Sequence, residues 1–261
     1  MPDEVTSISC PAWPVLSQDE AMSHLIGSAV VVRKALCEAD LDAEVPTCPG
    51  WVLRDLVRHV GGLHRWVVGA IKEGHPDTPT PDGPHQRGDL LEWWNEGWSD
   101  FLHVLATAAP DAPAWHFGPK PRTVSWWYRR QAHEHAIHAW DAVLAARWRP
   151  PADVPFEPRF ALDGVDEIVT MFFPRQVRLG RTPPLAGSLA LRSDDGPEHA
   201  WVLSGDGTQP VAVEAADAVL DAPAWLLYLV LWKRQPLDHP LLRITGDRAA
   251  AEQVLTAAIT P

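Results

Sequence analysis

The chain has 261 residues, 46% hydrophobic and 21% charged, which describes a globular protein of one large or two modest domains and excludes a fibrous or disordered one. Lys and Arg number 22 against 34 Asp and Glu, a formal charge of −12 with no basic stripe, so nucleic acid and anionic membrane surfaces are not expected partners. No apolar run approaches the roughly 20 residues that span a bilayer, and the acidic N-terminal MPDEVTSISC does not read as a secretory signal, so the expected compartment is the cytoplasm. From Asp19 to about Ala39, Met22, Leu25, Ile26, Ala29, Val32 and Leu36 recur at helical spacing, with Asp19 placed to cap a first helix. The breaker-rich VPTCPGW leads into a second helix that carries Leu53, Leu56, Val57, Val60, Leu63, Val67 and Ile71 and ends near Gly74. HPDTPTPDGPHQRG is a loop. A third helix follows in DLLEWWNEGWSDFLHVLATA and a fourth from about Val124 to Arg147. Four such helices with short links make a bundle.

At Pro150 the texture changes. WRPPADVPFEP reads as a linker, and SLALRS, HAWVLSG and PVAVEA read as consecutive antiparallel strands separated by DDGP and GDGT. APAWLLYLVLWKR is a helix, LLRITG a strand, and DRAAAEQVLTAA a closing helix capped by Asp247. The expected fold class is therefore α plus α+β, with a four-helix bundle over residues 1–149 and a smaller α+β domain over 150–261.

The fourth helix carries the residues with most chemistry, in HEHAIHAWDA. Glu134 and His138 stand four apart on one face and Asp141 continues it, beside Trp127, Ile137 and Leu144, so the face turns partly inward. A carboxylate there needs a partner. One reading is a Glu134–Arg129 or Glu134–Arg130 ion pair with ordinarily satisfied histidines. The other is a divalent cation, with His59 of the second helix as third ligand and an open position left for chemistry. A zinc-protease HExxH motif is excluded, because Ile137 stands four residues after His133. His64, His133 and His135, like His24, His103 and His116, read as surface or packing residues. Three cysteines, Cys10, Cys37 and Cys48, are too scattered for a disulfide framework or a CxxC metal site, and Cys48, which could serve as a thiol nucleophile or a fourth ligand, reads instead as structural because no basic neighbour lowers its pKa. The tryptophans at 93, 94, 98, 126 and 127 read as packing, with one or two available to line a cavity. Arg234, after the apolar helix, either complements that helix C-terminus or binds a substrate carboxylate bidentately.

VPTCPGWVLRDLVRHVGGLHRW, TVSWWYRRQAHEHAIHAWDA and LDAPAWLLYLVLWKRQPLDHPLLRITGD, in that order and covering most of the chain, resemble the mycothiol-dependent maleylpyruvate isomerase family. The resemblance implies a DinB-like bundle followed by a small sterol-carrier-like α+β module. It implies a divalent metal, usually zinc, on His59, Glu134 and His138, with Asp141 orienting a ligand or binding the thiol cofactor and Arg234 matching the family's arginine. Val52 departs from the Thr or Ser that many relatives carry there, which removes a helix cap. What the resemblance implies about activity is a metalloenzyme that uses mycothiol on a small electrophile, as isomerase or S-transferase. A monomer or a homodimer is expected, and the sequence does not choose between them. A non-catalytic small-molecule binder and a metal-dependent hydrolase are the alternatives.

Overall fold

The computed structural model describes residues 13–74, 82–148, 156–197, 199–209 and 212–260. Cys10, residues 75–81 of the 75–88 loop and residues 149–155 of the linker after Trp148 lie outside the described residues. The chain divides into two compact units, one of Leu16–Ala152 and one of Asp153–Pro261 together with Met1–Val15.

The first unit contains α1 (Gln18–Glu38), α2 (Leu53–Lys72), α3 (Arg87–Thr107) and α4 (Ser125–Ala145). Packing is heaviest between α1 and α4 and between α2 and α3. The apolar repeat of α2 explains its place, since Leu53, Leu56, Val57, Val60 and Val67 are all fully buried. The cap of α1 is Ser17, not Asp19. Ser17 is extended, its hydroxyl accepts from Glu20 N (3.3 Å), and Glu20 Oε2 accepts from Ser17 N (2.7 Å), a reciprocal pair that Asp19, already inside the first turn, cannot make. At α2 the Val52 cap has no side-chain oxygen. Asp55 compensates from inside the helix, its Oδ2 accepting from Val52 N at 3.1 Å.

On α4 nearly every residue from Trp127 to Ala142 is buried, polar ones included. A helix buried all round must satisfy its polar side chains internally. That requirement builds the site described below.

The second unit begins with α5 (Pro158–Glu167), a π-helical turn (Ile168–Phe172) and α6 (Phe173–Arg178). Pro174 lies at the junction, where it has no N–H to give Thr170 O, and the widened turn absorbs the lost bond. Strands β1 (Leu185–Ser193), β2 (Ala200–Gly205), β3 (Gly207–Gln209), β4 (Ala218–Ala222) and β5 (Arg243–Gly246) form a sheet ordered β3-β2-β1-β4-β5. Pairing is antiparallel except between β1 and β4, which run parallel. The expected strand in PVAVEA is absent from its described part, where Val213–Ala215 forms a 3₁₀ turn with no buried residue. The strand is the next segment, AVLDA, whose Ala218, Leu220 and Ala222 are buried between neighbours.

Helix α7 (Ala224–Leu231) crosses α5 at Gly164, where a Cβ would come within 2.2 Å of the Tyr228 ring. Trp13, from the N-terminal segment, donates its indole N–H to Asp163 of α5 (3.2 Å) and packs on Trp201 of β2, whose own indole N–H goes to Asp166 (3.0 Å). The closing helix α8 (Arg248–Thr256) is capped by Asp247 as expected, the carboxylate accepting from Ala249 N and Ala250 N. Among the described residues no helix is long and apolar enough to cross a membrane.

Candidate metal centre

The site lies in the bundle, between α4, α2 and the loop that joins α1 to α2. Positions 134, 138 and 141 of α4 fall at i, i+4 and i+7, so their side chains stack along one face. His59 comes from the facing side of α2. Glu134 Oε1 lies 3.3 Å from His59 Nε2 and 3.3 Å from His138 Nε2. One nitrogen from each histidine and one Glu134 oxygen lie within 4.8 Å of one another.

Glu134 divides its two oxygens. Oε1 faces the histidines, while Oε2 accepts from Arg130 Nη2 at 2.9 Å, and Arg130 is itself only 2% exposed. The Arg130 ion pair expected from the sequence is thus present on one oxygen, while the other oxygen faces the two histidines. Burial pushes the Glu134 carboxyl up, but the hydrogen bonds from His138 and His59 and the Arg130 charge outweigh it and hold the group well below its ordinary value of 4.5.

His138 is held from its other side by Asp141, fully buried, whose Oδ2 lies 3.1 Å from Nδ1. With carboxylates at both nitrogens, the ring keeps both protons. Burial pulls its pKa down, yet hydrogen bonds to Asp141 and Glu134 raise it from 6.5 to about 9. The histidine thus holds a positive charge at the point where a cation would sit. Release of the Nε2 proton would leave a lone pair aimed at the Glu134–His59 corner, while Nδ1 stays protonated and bound to Asp141. Two imidazoles and one carboxylate suit zinc and similar borderline cations. On the chemistry of its donors the site fits a divalent metal.

The loop completes the surroundings. Cys48, Pro49, Gly50 and Trp51 make a turn closed by Trp51 N to Cys48 O (3.0 Å), with Gly50 at φ +83°. Pro followed by a left-handed Gly is the signature of a type II turn. This turn places Trp51 beside both imidazoles, its ring centroid 5.1 Å from that of His59 and 6.3 Å from that of His138, and nearly parallel to the latter. It also brings Thr47 Oγ1 to 2.5 Å from Asp141 Oδ1 and Cys48 Sγ to 3.4 Å from Asp141 Oδ2.

Of the residues singled out in the sequence, the structure brings together His59, Glu134, His138 and Asp141. Arg234 belongs to the other compact unit, in the turn after α7, where Lys233 has φ +59° and Arg234 Nη1 donates to Trp232 O at 3.0 Å. Sequence reasoning left Thr47 and Trp51 out of the site. The signal was the CPGW turn, which had to place its neighbours against α4 once the two helices packed. His64 and His135 form a separate pair, Nε2 to Nε2 at 2.9 Å, fully buried among Trp94, Trp98 and Phe101.

Two protein-family models match the chain: the mycothiol maleylpyruvate isomerase N-terminal domain over residues 28–143 and the MDMPI C-terminal domain over residues 159–253. The chain belongs to the mycothiol maleylpyruvate isomerase family. The first match contains His59, Glu134, His138 and Asp141, and the second contains Arg234. A crystal structure of the mycothiol-dependent maleylpyruvate isomerase shares the fold at a TM-score of 0.62, with 14% identity over 89% of this chain and 95% of that one. A crystal structure of a histidine-to-alanine mutant of the mycothiol-dependent maleylpyruvate isomerase matches at a TM-score of 0.57, again with 14% identity, over 82% of this chain and 88% of that one. No curated protein sequence matches the chain.

Proposed function

We propose that this family member is a metalloenzyme in which His59, Glu134 and His138 hold a divalent cation, with zinc the first choice, and in which mycothiol serves as thiol cosubstrate toward a small electrophile. The observation that carries the proposal is the convergence of the three ligating atoms within 4.8 Å, in a bundle that the family's N-terminal model spans. A cation bound there supplies acidification of a coordinating thiol, so that a nucleophilic sulfur is available near neutral pH.

The chain's own residues have separable tasks. Arg130 and the two imidazoles keep Glu134 ionised and fix which oxygen faces the site. Asp141 retains the Nδ1 proton of His138 and so makes Nε2 its ligating atom. Trp51 walls one side of the imidazoles with an apolar surface. To Arg234 we assign the carboxylate of an acidic electrophile, because guanidinium binds carboxylate through two parallel N–H donors.

The test is incubation of the zinc-loaded protein with mycothiol and a panel of electrophiles, including unsaturated dicarboxylic acids, read by mass spectrometry. Product that depends on added thiol is expected, as an isomerised acid or as a sulfur conjugate, and which one appears decides between isomerase and S-transferase. Hydrolysis product without thiol would replace the proposal with a hydrolase. Saturable uptake without turnover would replace it with a binding protein.

A further inference from the structure

We propose that Thr47 and Cys48 form a donor clamp that positions His138 for metal binding by fixing the carboxylate of Asp141. The inference rests on the metal reading above, and it concerns residues outside the His59, Glu134 and His138 set and outside the helices that carry that set.

Asp141 is fully buried. A carboxylate in such a place needs hydrogen-bond donors to offset the loss of its water. Its helix supplies one donor, the His138 Nδ1–H at 3.1 Å on Oδ2. The loop supplies two more from consecutive residues: Thr47 Oγ1–H on Oδ1 at 2.5 Å and Cys48 Sγ–H on Oδ2 at 3.4 Å. The Thr47 contact is in the length range of charge-assisted O–H···O⁻ bonds, which are about twice as strong as neutral ones. The Cys48 contact is a weak thiol bond by comparison. Together they pin both ends of the carboxylate and thereby its rotation about the bond that carries it.

The loop is able to do this because its backbone is tied down. Val45 N bonds Trp51 O (2.9 Å), Leu53 N bonds Ala43 O (2.9 Å) and Arg54 N bonds Leu41 O (2.9 Å), so the segment is laced to the start of α2. The type II turn at Pro49 and Gly50 then sets the direction of residues 47 and 48. With Asp141 fixed, the His138 ring is fixed, and its Nε2 stays at the corner shared with Glu134 and His59. Loss of the outer partner itself, here Asp141, typically weakens metal binding by about 10- to 100-fold, and loss of a donor to that partner acts at or below the lower end of that range.

The experiment measures Zn²⁺ affinity by chelator competition in the full-length protein, for wild type, Thr47→Val, Thr47→Ser, Cys48→Ala and Cys48→Ser, each checked for native helicity. Val keeps the shape of Thr and removes the donor, while Ser keeps the donor. Thr47→Val is expected to bind Zn²⁺ more weakly by roughly 10-fold, the lower end of the range for outer partners, with Thr47→Ser restored close to wild type. Cys48→Ala is expected to lose less than Thr47→Val, and Cys48→Ser to bind as wild type. The Co²⁺-loaded forms add a readout that simple packing would not move. The visible ligand-field bands should shift in Thr47→Val, and wild type should lack a near-ultraviolet cysteinate-to-cobalt band.

Wild-type affinity in Thr47→Val would overturn the clamp, as would equal losses in Thr47→Val and Thr47→Ser, which would make the effect one of packing. A cysteinate band that vanishes in Cys48→Ser would make Cys48 a ligand and overturn its positioning role. Failure of wild type itself to bind Zn²⁺ would instead remove the metal reading, so the two failures are told apart by the wild-type measurement.

Discussion

Helices α2 and α4 bring histidines together twice, and the two meetings end in opposite chemistry. His59 and His138 meet around Glu134, with Asp141 behind His138 and Arg130 behind Glu134. His64 and His135 meet one turn away on α4, with Trp94, Trp98 and Phe101 around them. In the first group, carboxylates at both nitrogens hold His138 up to about 9. In the second, burial dominates and the pair stays neutral, with His135 pulled down to about 4 and His64 well below its ordinary value. The hydrogen bonds of the second pair fix its tautomers. His135 Nδ1–H donates to Gln131 O (2.8 Å), so His135 Nε2 must accept from His64 Nε2–H (2.9 Å). His138 is thus drawn toward positive charge, and His64 and His135 are kept from it, by the presence or absence of acid side chains and not by burial, which these three share.

That contrast can be broken at its strongest point first. Glu134→Leu removes one partner of a buried ion pair and the shared acceptor of two imidazoles, and should cost about 3–5 kcal/mol in the metal-free protein. Urea unfolding measures it, and a loss below 1 kcal/mol, roughly the worth of an exposed pair, would show that Oε2 and Arg130 are not coupled. His135→Ala should cost about 2–4 kcal/mol through a cavity and the loss of the His64 acceptor. Its metal stoichiometry should equal that of wild type, and a fall in metal content would merge the two groups into one.

The pH dependence of metal-free stability sharpens the contrast, because the signs are opposed. The unfolded chain takes up protons near pH 6.5 that folded His64 and His135 refuse, so their contribution is present above 6.5 and lost as pH falls toward 4. Folded His138 keeps its proton to about 9, so its contribution is complete below 6.5 and lost as pH rises through 9. Urea midpoints across this range should fall on both sides, and His135→Phe should flatten the acid side alone. The smallest effect is expected at the turn. Gly50 sits at φ +83° with open space around its Cβ position, so Gly50→Ala should cost only the backbone term, about 1–2 kcal/mol. Differential scanning calorimetry would detect it, and a cost near zero would mean that the turn relaxes.

Much of this was legible in residue spacing. The four bundle helices and the E-x-x-x-H face of α4 follow from periodicity, because a buried helix face must repeat at 3.6 residues whatever it packs against. Spacing places the cap of α1 two residues too late because Ser17 and Asp19 both offer an oxygen, and only the backbone conformation decides between them. PVAVEA and AVLDA alternate equally well, but burial between β1 and β5 selects the second. The role of the α1–α2 loop was not legible, since Thr47 and Asp141 are 94 positions apart and meet only through helix packing. Nor did periodicity separate the two histidine groups, because it locates a face without naming what lies opposite.

The proposed metal centre requires that His59, Glu134 and His138 together hold one divalent cation. Elemental analysis of protein purified without a histidine tag, after dialysis against zinc and removal of the excess, tests it most directly. About one metal per chain is expected in wild type and in His135→Ala, and almost none in His138→Ala. Equal metal in wild type and His138→Ala, or none in either, would contradict it.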